Sequence, residues 1–156
     1  MTELSQQEDA ARLTHDVFVS YRRQEPDRSW VRRRFVPALR AAGLRVFLDD
    51  DDFLLGEPLI DAMTRGVELS RYTVAVLTHA YLKSTFTEVE SLMAEHLGLE
   101  NAQARLIGVM RESVTPRLSM RLRIWLDLTD DAAFDDGVAR LARELRAPWP
   151  TASAPP

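Results

Sequence analysis

Five short apolar runs recur along the chain: DVFVSY (16–21), LRVFLD (44–49), YTVAVLT (72–78), RLIGVM (105–110) and RIWLDL (123–128). They are rich in β-branched residues and apolar at nearly every position. Strands with one wet face alternate apolar and polar residues, whereas strands covered on both faces do not. Longer helical patterns separate the runs, as parallel strands require, because a parallel pair cannot be closed by a tight turn. The alternation predicts an α/β fold of flavodoxin-like, doubly wound type, a five-stranded parallel sheet with helices on both faces.

The helical patterns have recognisable limits. Val31, Phe35, Leu39 and Ala42 are spaced by four, four and three, after a start at Pro26-Asp27 and before a stop at Gly43. Pro37 inside this helix removes one backbone donor and predicts a kink. A second helix is expected to begin near Glu57-Pro58 and bury Ile60, Met63 and Val67. A third covers STFTEVESLMAEH (84–96), where Thr85 and Glu88 have capping-box spacing. The last starts near Asp130, carries Phe134, Val138, Leu141 and Leu145 on one stripe, and ends among Arg140, Arg143 and Arg146, which suit the helix dipole.

Length and composition limit the classes of function. The 156 residues are about one domain, and 46% hydrophobic with 28% charged residues is ordinary for a globular chain. With no cysteine there is no disulfide framework and no thiolate metal site, and a net charge of −4 gives no reason to expect nucleic acid as a partner. No window is apolar enough to cross a membrane, and MTELSQQEDAARLT lacks the pattern of a secretory signal, so a cytoplasmic location is expected. The expected organisation is a flexible extension over 1–13, a folded domain over 14–146, and a proline-rich tail over 147–156 that reads as the start of a linker to a sensor domain.

Ligands of doubly wound sheets bind beyond the carboxyl ends of the strands. After the first strand come Tyr21, Arg22 and Arg23, which can grip a phosphate and stack on a base or ribose, or else form a solvated turn with one arginine paired to an aspartate. After the second come Asp49 to Asp52, expected to stay in a hydrated loop. Four adjacent carboxylates cannot all face one ion, so no metal site is expected. Trp30 and the arginines at 32–34 read as a solvated or protein-contacting face. The histidines are scattered, and no nucleophile elbow, P-loop or dinucleotide fingerprint is present. On the third helix, Glu88 and Glu95 point away from the face formed by Phe86, Val89, Leu92, Met93 and Leu97. Glu90 lies at the edge of that face, partly desolvated, one turn beyond Phe86.

The run HDVFVSYRR resembles the first conserved box of TIR (Toll/interleukin-1 receptor) domains. LRVFLDDDDFLLGEPL is similar to their second strand and BB loop, and AVLTHAYLKSTFTEVE to the segment that carries the family's W-x-x-x-E spacing. The resemblance covers residues 14 to 146. It implies an NAD⁺ glycohydrolase or cyclase of the bacterial NAD-cleaving type, acting in antiphage immunity with NAD⁺ as substrate and no cofactor. It makes Glu90 the catalytic residue and puts Phe86 in the tryptophan position. Tyr21, Arg22, Arg23 and Asp49 would line the substrate pocket, and the BB loop with Leu54, Leu55, Gly56 and Pro58 would close it. Homo-oligomeric assembly with other TIR domains is implied, the BB loop of one copy completing the site of the next. Phe86 lacks the indole N–H, and Leu55-Gly56 replaces a common Pro-Gly. The alternatives are a non-enzymatic TIR–TIR interaction module and a virulence factor that interferes with host TIR signalling.

Overall fold

The computed structural model describes residues 13–114 and 125–147. Five parallel strands form one sheet: β1 (His15–Ser20), β2 (Val46–Phe47), β3 (Ser70–Leu77), β4 (Leu106–Met110) and β5 (Trp125–Asp127), in the spatial order β2-β1-β3-β4-β5. All pairings are parallel, with Val17 opposite Val46 and Tyr72, Thr73 opposite Leu106, and Gly108 opposite Trp125. The expected fold class is the observed one. The expected extension falls outside the described residues apart from Leu13, and the expected tail apart from Ala147.

Strand periodicity sorts the core into two layers. Val17, Val19, Tyr72, Val74 and Val76 point to one face, covered by α1 and by α7 (Phe134–Arg146), where Phe35, Leu39, Leu141 and Leu145 meet them. Here α1 denotes the consecutive helical segments Asp27–Trp30, Val31–Phe35 and Val36–Ala41. Phe18, Ala75 and Leu77 point to the other face, covered by α3 (Leu59–Leu69), α4 (His79–Ser84), α5 (Phe86–Leu97) and α6 (Leu99–Arg105). A short α2 (Asp49–Asp52) follows β2, and a 3₁₀ turn (Asp131–Ala133) leads into α7.

Several local expectations are corrected. The irregularity expected at Pro37 is a π-helical segment over Val31–Phe35, one turn before the proline. Without an N–H, Pro37 cannot hold the carbonyl of Arg33, and the preceding turn widens. Gly43, at φ +90°, ends α1 as expected. β2 is only two residues long because carboxylates take the flanking amides: Asp16 accepts from the Arg45 N–H at 2.7 Å and Asp52 from the Leu48 N–H at 2.9 Å. Asp49 to Asp52 form a helical turn, not a loop. Thr85 makes no side-chain cap. The cap belongs to Thr78, whose Oγ1 accepts from the Tyr81 N–H at 3.1 Å and starts α4.

Ile60 is 52% exposed, although it lies seven residues before buried Val67 and so on the same helical face. Its exposure follows from its place along the axis, since the first turn of α3 extends past the layer it packs on.

Gly66 brings α3 close to the sheet. A Cβ there would lie 2.8 Å from the ring of Phe18, itself only 2% exposed. Gly66→Ala gains about 1 kcal/mol of helix propensity, but overpacking this fixed ring costs about 1–3 kcal/mol. A lower urea midpoint with an unchanged m-value is the expected outcome.

Candidate functional site

The sheet order places a switch point between β1 and β3. The chain leaves β1 toward β2 and returns across the sheet to β3, so the loops after these two strands diverge and leave a crevice. A cleft with room for only about 20 Å³ lies there, lined by Phe18, Val19, Ser20, Tyr21, Arg23, Asp49, Phe53, Met63 and Thr85. That is more than tenfold below the roughly 300–1,000 Å³ usual for small-molecule sites. The cleft is therefore nearly closed.

One wall is a polar triad. The Tyr21 hydroxyl donates to Asp49 Oδ1 at 2.7 Å, Arg32 Nε donates to the same hydroxyl at 2.8 Å, and Arg32 NH2 donates to Asp49 Oδ2 at 2.9 Å. Burial, reinforced by Asp49, pushes the Tyr21 phenol well above its ordinary value, so it stays a donor. Arg32, read from the sequence as part of a solvated or protein-contacting face, is the side chain that fixes this wall.

The two arginines after Tyr21 part company. Arg23 lines the cleft, 4.0 Å from Asp49 and over the Phe53 ring at 5.2 Å. Arg22 donates to Gln24 at 2.6 Å and does not line the cleft.

The rim is the loop between α2 and α3. Arg65 ties its base, donating to both Glu57 carboxylate oxygens at 2.8 Å and to the Asp52 carbonyl at 2.9 Å. Between these anchors Leu54–Glu57 forms a tight turn in which Gly56 takes φ +82°, a backbone only glycine adopts without strain. Leu54 is 64% exposed, Leu55 fully exposed, and Pro58 also faces solvent, whereas Phe53 turns inward to Phe18 and Phe47. Leu54 and Pro58 therefore stand outside the cleft as it is.

Glu90 is buried, at 9% exposure, while Glu88 and Glu95 are exposed and border a separate groove with Ile60 and Leu92. Neither Glu90 nor Phe86 lines the cleft. Phe86, 4% exposed, packs on Tyr81 with ring centroids 6.0 Å apart, so its face is covered by protein and not offered to a ligand.

Sequence reasoning missed two buried polar pairs, one of them in the cleft wall. The Ser20 and Tyr81 hydroxyls are hydrogen-bonded at 2.9 Å, both buried, with Ser20 in the cleft wall. Burial first, and then the charge of Glu90, raises the Tyr81 phenol far above its ordinary value. On the other side Thr78 Oγ1 donates to Asp27 Oδ2 at 3.0 Å. Asp27 is 6% exposed; burial, with Glu112 adding to it, raises its carboxyl above the ordinary range, and the Thr78 hydrogen bond, Arg22 and Arg111 only partly offset this. The available signals were positional. Ser20 shares the strand parity of Phe18, and Thr78 stands where a strand ends and a helix begins.

Among the described residues no group of histidine, aspartate and glutamate side chains could hold a metal ion, and no helix is long and apolar enough to cross a membrane.

Comparisons with known proteins agree with this layout. The TIR domain family model matches residues 17–142. The chain is 24% and 26% identical over 102 residues (65% of its length) to Toll-like receptor 6 of Bos taurus and of Mus musculus, and spans 13% of each. It is 32% identical over 76 residues, 49% of its length, to TcpO of Methanobrevibacter olleyae, named a "Probable 2′ cyclic ADP-D-ribose synthase", and spans 22% of that protein. The TIR domain of the Toll-related receptor TRR-2 from Hydra magnipapillata superposes with a TM-score of 0.69 at 21% identity, over 86% of this chain and all of that one. A metazoan TIR-STING receptor from C. gigas gives 0.66 at 18% identity, over 88% of this chain and 42% of that one. At these identities the structural likenesses carry the fold alone.

The buried Asp27 carboxylate generates a prediction with a definite sign. Its folded-state pKa is raised, so the native chain holds the proton more tightly than the unfolded one, and stability falls as pH rises from the unfolded value through the folded one. Asp27→Asn, close in shape to the protonated acid, is expected to raise the melting temperature at pH 7. The gain should shrink toward nothing near pH 4. Thermal melts of both proteins across this range check it.

Proposed function

The chain belongs to the TIR domain family, and on that premise we propose that it cleaves the N-glycosidic bond of NAD⁺, releasing nicotinamide and an ADP-ribose product, when copies assemble. The observation that supports this reading best is Glu90, a buried carboxylate on α5 whose charge acts on Tyr81, the hydrogen-bond partner of Ser20 in the cleft wall. The named activity of TcpO, a cyclic ADP-ribose synthase, is the chemistry the same bond cleavage would serve.

The chemistry asks little of the protein in acid–base terms. Nicotinamide leaves a cation as a neutral molecule, so no general acid is needed. The demanding species is the oxocarbenium-like ribosyl group, and one fixed negative charge in a partly dry site stabilises it. Glu90 supplies that charge on α5. Arg23 takes the pyrophosphate at the cleft mouth, beside the wall held by Tyr21, Asp49 and Arg32. The cleft must widen to admit a dinucleotide, and the segment able to move is the loop tip at Leu54–Gly56, between the Arg65-anchored ends. Assembly that covers Leu54 and Leu55 would shift that loop, and NAD⁺ depletion on assembly suits an effector of antiphage immunity.

A non-enzymatic interaction module is the second reading, favoured by the exposed apolar side chains Leu54, Leu55, Leu59 and Ile60. Incubating the chain with NAD⁺ over a range of protein concentrations separates the two. Nicotinamide release with specific activity rising with concentration supports the enzyme. Self-association without nicotinamide supports the module.

Two variant series follow. Glu90→Gln should lower turnover on the order of a hundredfold or more, matching a few kcal/mol of transition-state stabilisation, while Glu88→Gln and Glu95→Gln leave it near the wild-type rate. Equal losses in all three would remove Glu90 from its role. Arg23→Ala should raise KM by roughly ten- to a hundredfold at little cost in kcat, as loss of a charged hydrogen bond of about 1.5–3 kcal/mol common to ground and transition states predicts. Arg22→Ala should change neither, and NAD⁺ titrations of the two variants decide the point.

A further inference from the structure

We infer that Ser20 binds a ribose hydroxyl, and that with Tyr81 it couples the ligand in the cleft to Glu90. The inference rests on reading the cleft as a nucleotide site. Glu90 itself does not line the cleft in its nearly closed form. Two hydroxyl residues line the cleft on the α5 side of the sheet, the half-buried Thr85 and the buried Ser20. Ser20 follows Phe18 by two positions on β1 and so faces the layer in which Tyr81 and Phe86 pack. Its hydroxyl meets the Tyr81 hydroxyl at 2.9 Å, and Tyr81 is wholly buried. Phe86, one helical turn before Glu90 on α5, packs its ring on that of Tyr81, and the charge of Glu90 acts on the Tyr81 phenol.

Either hydroxyl can donate in the shared hydrogen bond, and the charge beyond it decides which does. An anion in a low-dielectric site orients neighbouring O–H dipoles with their hydrogens toward it, and successive hydroxyls polarise one another. The favoured order has Ser20 donating to Tyr81, with the Tyr81 hydrogen turned to the side of Glu90. Burial and the same charge keep the Tyr81 phenol protonated, so it cannot break this order by becoming an anion. Ser20 then presents oxygen lone pairs to the cleft. A site that offers an acceptor backed by negative charge takes a hydroxyl donor and rejects a phosphate. Arg23, on the same cleft, offers the opposite polarity. A dinucleotide is thereby oriented with its pyrophosphate at Arg23 and the ribose that bears the scissile bond at Ser20.

The test compares two ligands that differ by this ribose, ADP-ribose and ADP, titrated calorimetrically into the full chain. The wild type should bind ADP-ribose about three- to tenfold more tightly, as one net hydrogen bond predicts. In Ser20→Ala the ratio should fall to about one, with ADP affinity unchanged. Tyr81→Phe keeps the ring but frees the Ser20 hydrogen, and should lower the ratio in the same direction. If Ser20→Ala fails to fold because it orphans the buried Tyr81 hydroxyl, the double variant Ser20→Ala/Tyr81→Phe, which removes both hydroxyls together, takes its place. A purely structural role would shift melting temperatures and leave the ratio alone. A ratio unchanged by the variants, equal binding of the two ligands by the wild type, or binding of neither overturns the inference. Nicotinamide release is measured separately. Selective binding without turnover would sink the NAD⁺-cleaving reading and leave Ser20 in place.

Discussion

Everything with chemical potential in this chain depends on the strands running the same way. Parallel strands bring all their carboxyl ends to one rim, and the order β2-β1-β3-β4-β5 opens the crevice between β1 and β3 without any residue being assigned to make it. The same geometry makes polar groups near the crevice expensive, because both faces of the sheet are buried. Val17 and Val19 face one layer, Phe18 and Ser20 the other. A hydroxyl at a buried position needs a partner, and the Tyr81 hydroxyl, 61 positions away, is that partner. The Ser20–Tyr81 contact at the cleft wall is thus a consequence of satisfying one polar atom at the end of a fully covered strand.

The rim divides into a stiff half and a loose half. Asp49 to Asp52 form a helical turn in which each carboxylate has a partner: Arg32 at 2.9 Å from Asp49 and 3.6 Å from Asp50, Arg40 at 2.6 Å from Asp51, and the Leu48 N–H at 2.9 Å from Asp52. These contacts are unequal. The Arg40–Asp51 pair is about half exposed and contributes about 0–1 kcal/mol. Arg32–Asp49 is largely shielded and shares the Tyr21 hydroxyl, so its polar atoms are mutually satisfied and hold one geometry. Six residues further on, Leu55 stands fully exposed on a turn held only at its base.

What the sequence made legible was whatever local periodicity encodes. The five strand runs, the apolar stripe of α7 and the stop at Gly43 all follow from repeats of two or 3.6 residues, or from one glycine. The candidate site was legible only in part. Tyr21, Arg23 and Asp49 come together at the cleft, but that Tyr21 and Asp49 are locked by Arg32 depends on contacts 11 and 17 residues apart in sequence. The Thr85–Glu88 spacing matched a cap, yet Thr85 makes none, and the side-chain cap is that of Thr78 on the preceding helix α4, whose hydroxyl also reaches Asp27 at the start of α1. Burial of Phe86 was foreseen from its helical face, but the ring that covers it, Tyr81, belongs to a different helix.

Residue type also fails to tell an anchor from a moving part, whereas position within the loop does so. Phe53 enters the cleft wall against Phe18, Phe47 and Arg23, while its immediate neighbours Leu54 and Leu55 face solvent. Adjacent residues on one backbone cannot move independently. Leaving Leu54 and Leu55 in water forfeits roughly 1.5–3 kcal/mol for each such side chain relative to full burial. A surface that covers them gains that energy and can spend part of it in withdrawing Phe53 from its place against Phe18, Phe47 and Arg23. The closed cleft and the exposed loop tip are therefore two aspects of a single element, and the free energy that opens one is available from covering the other. A ligand that binds only the open cleft must, by the same linkage, strengthen whatever contact covers the tip.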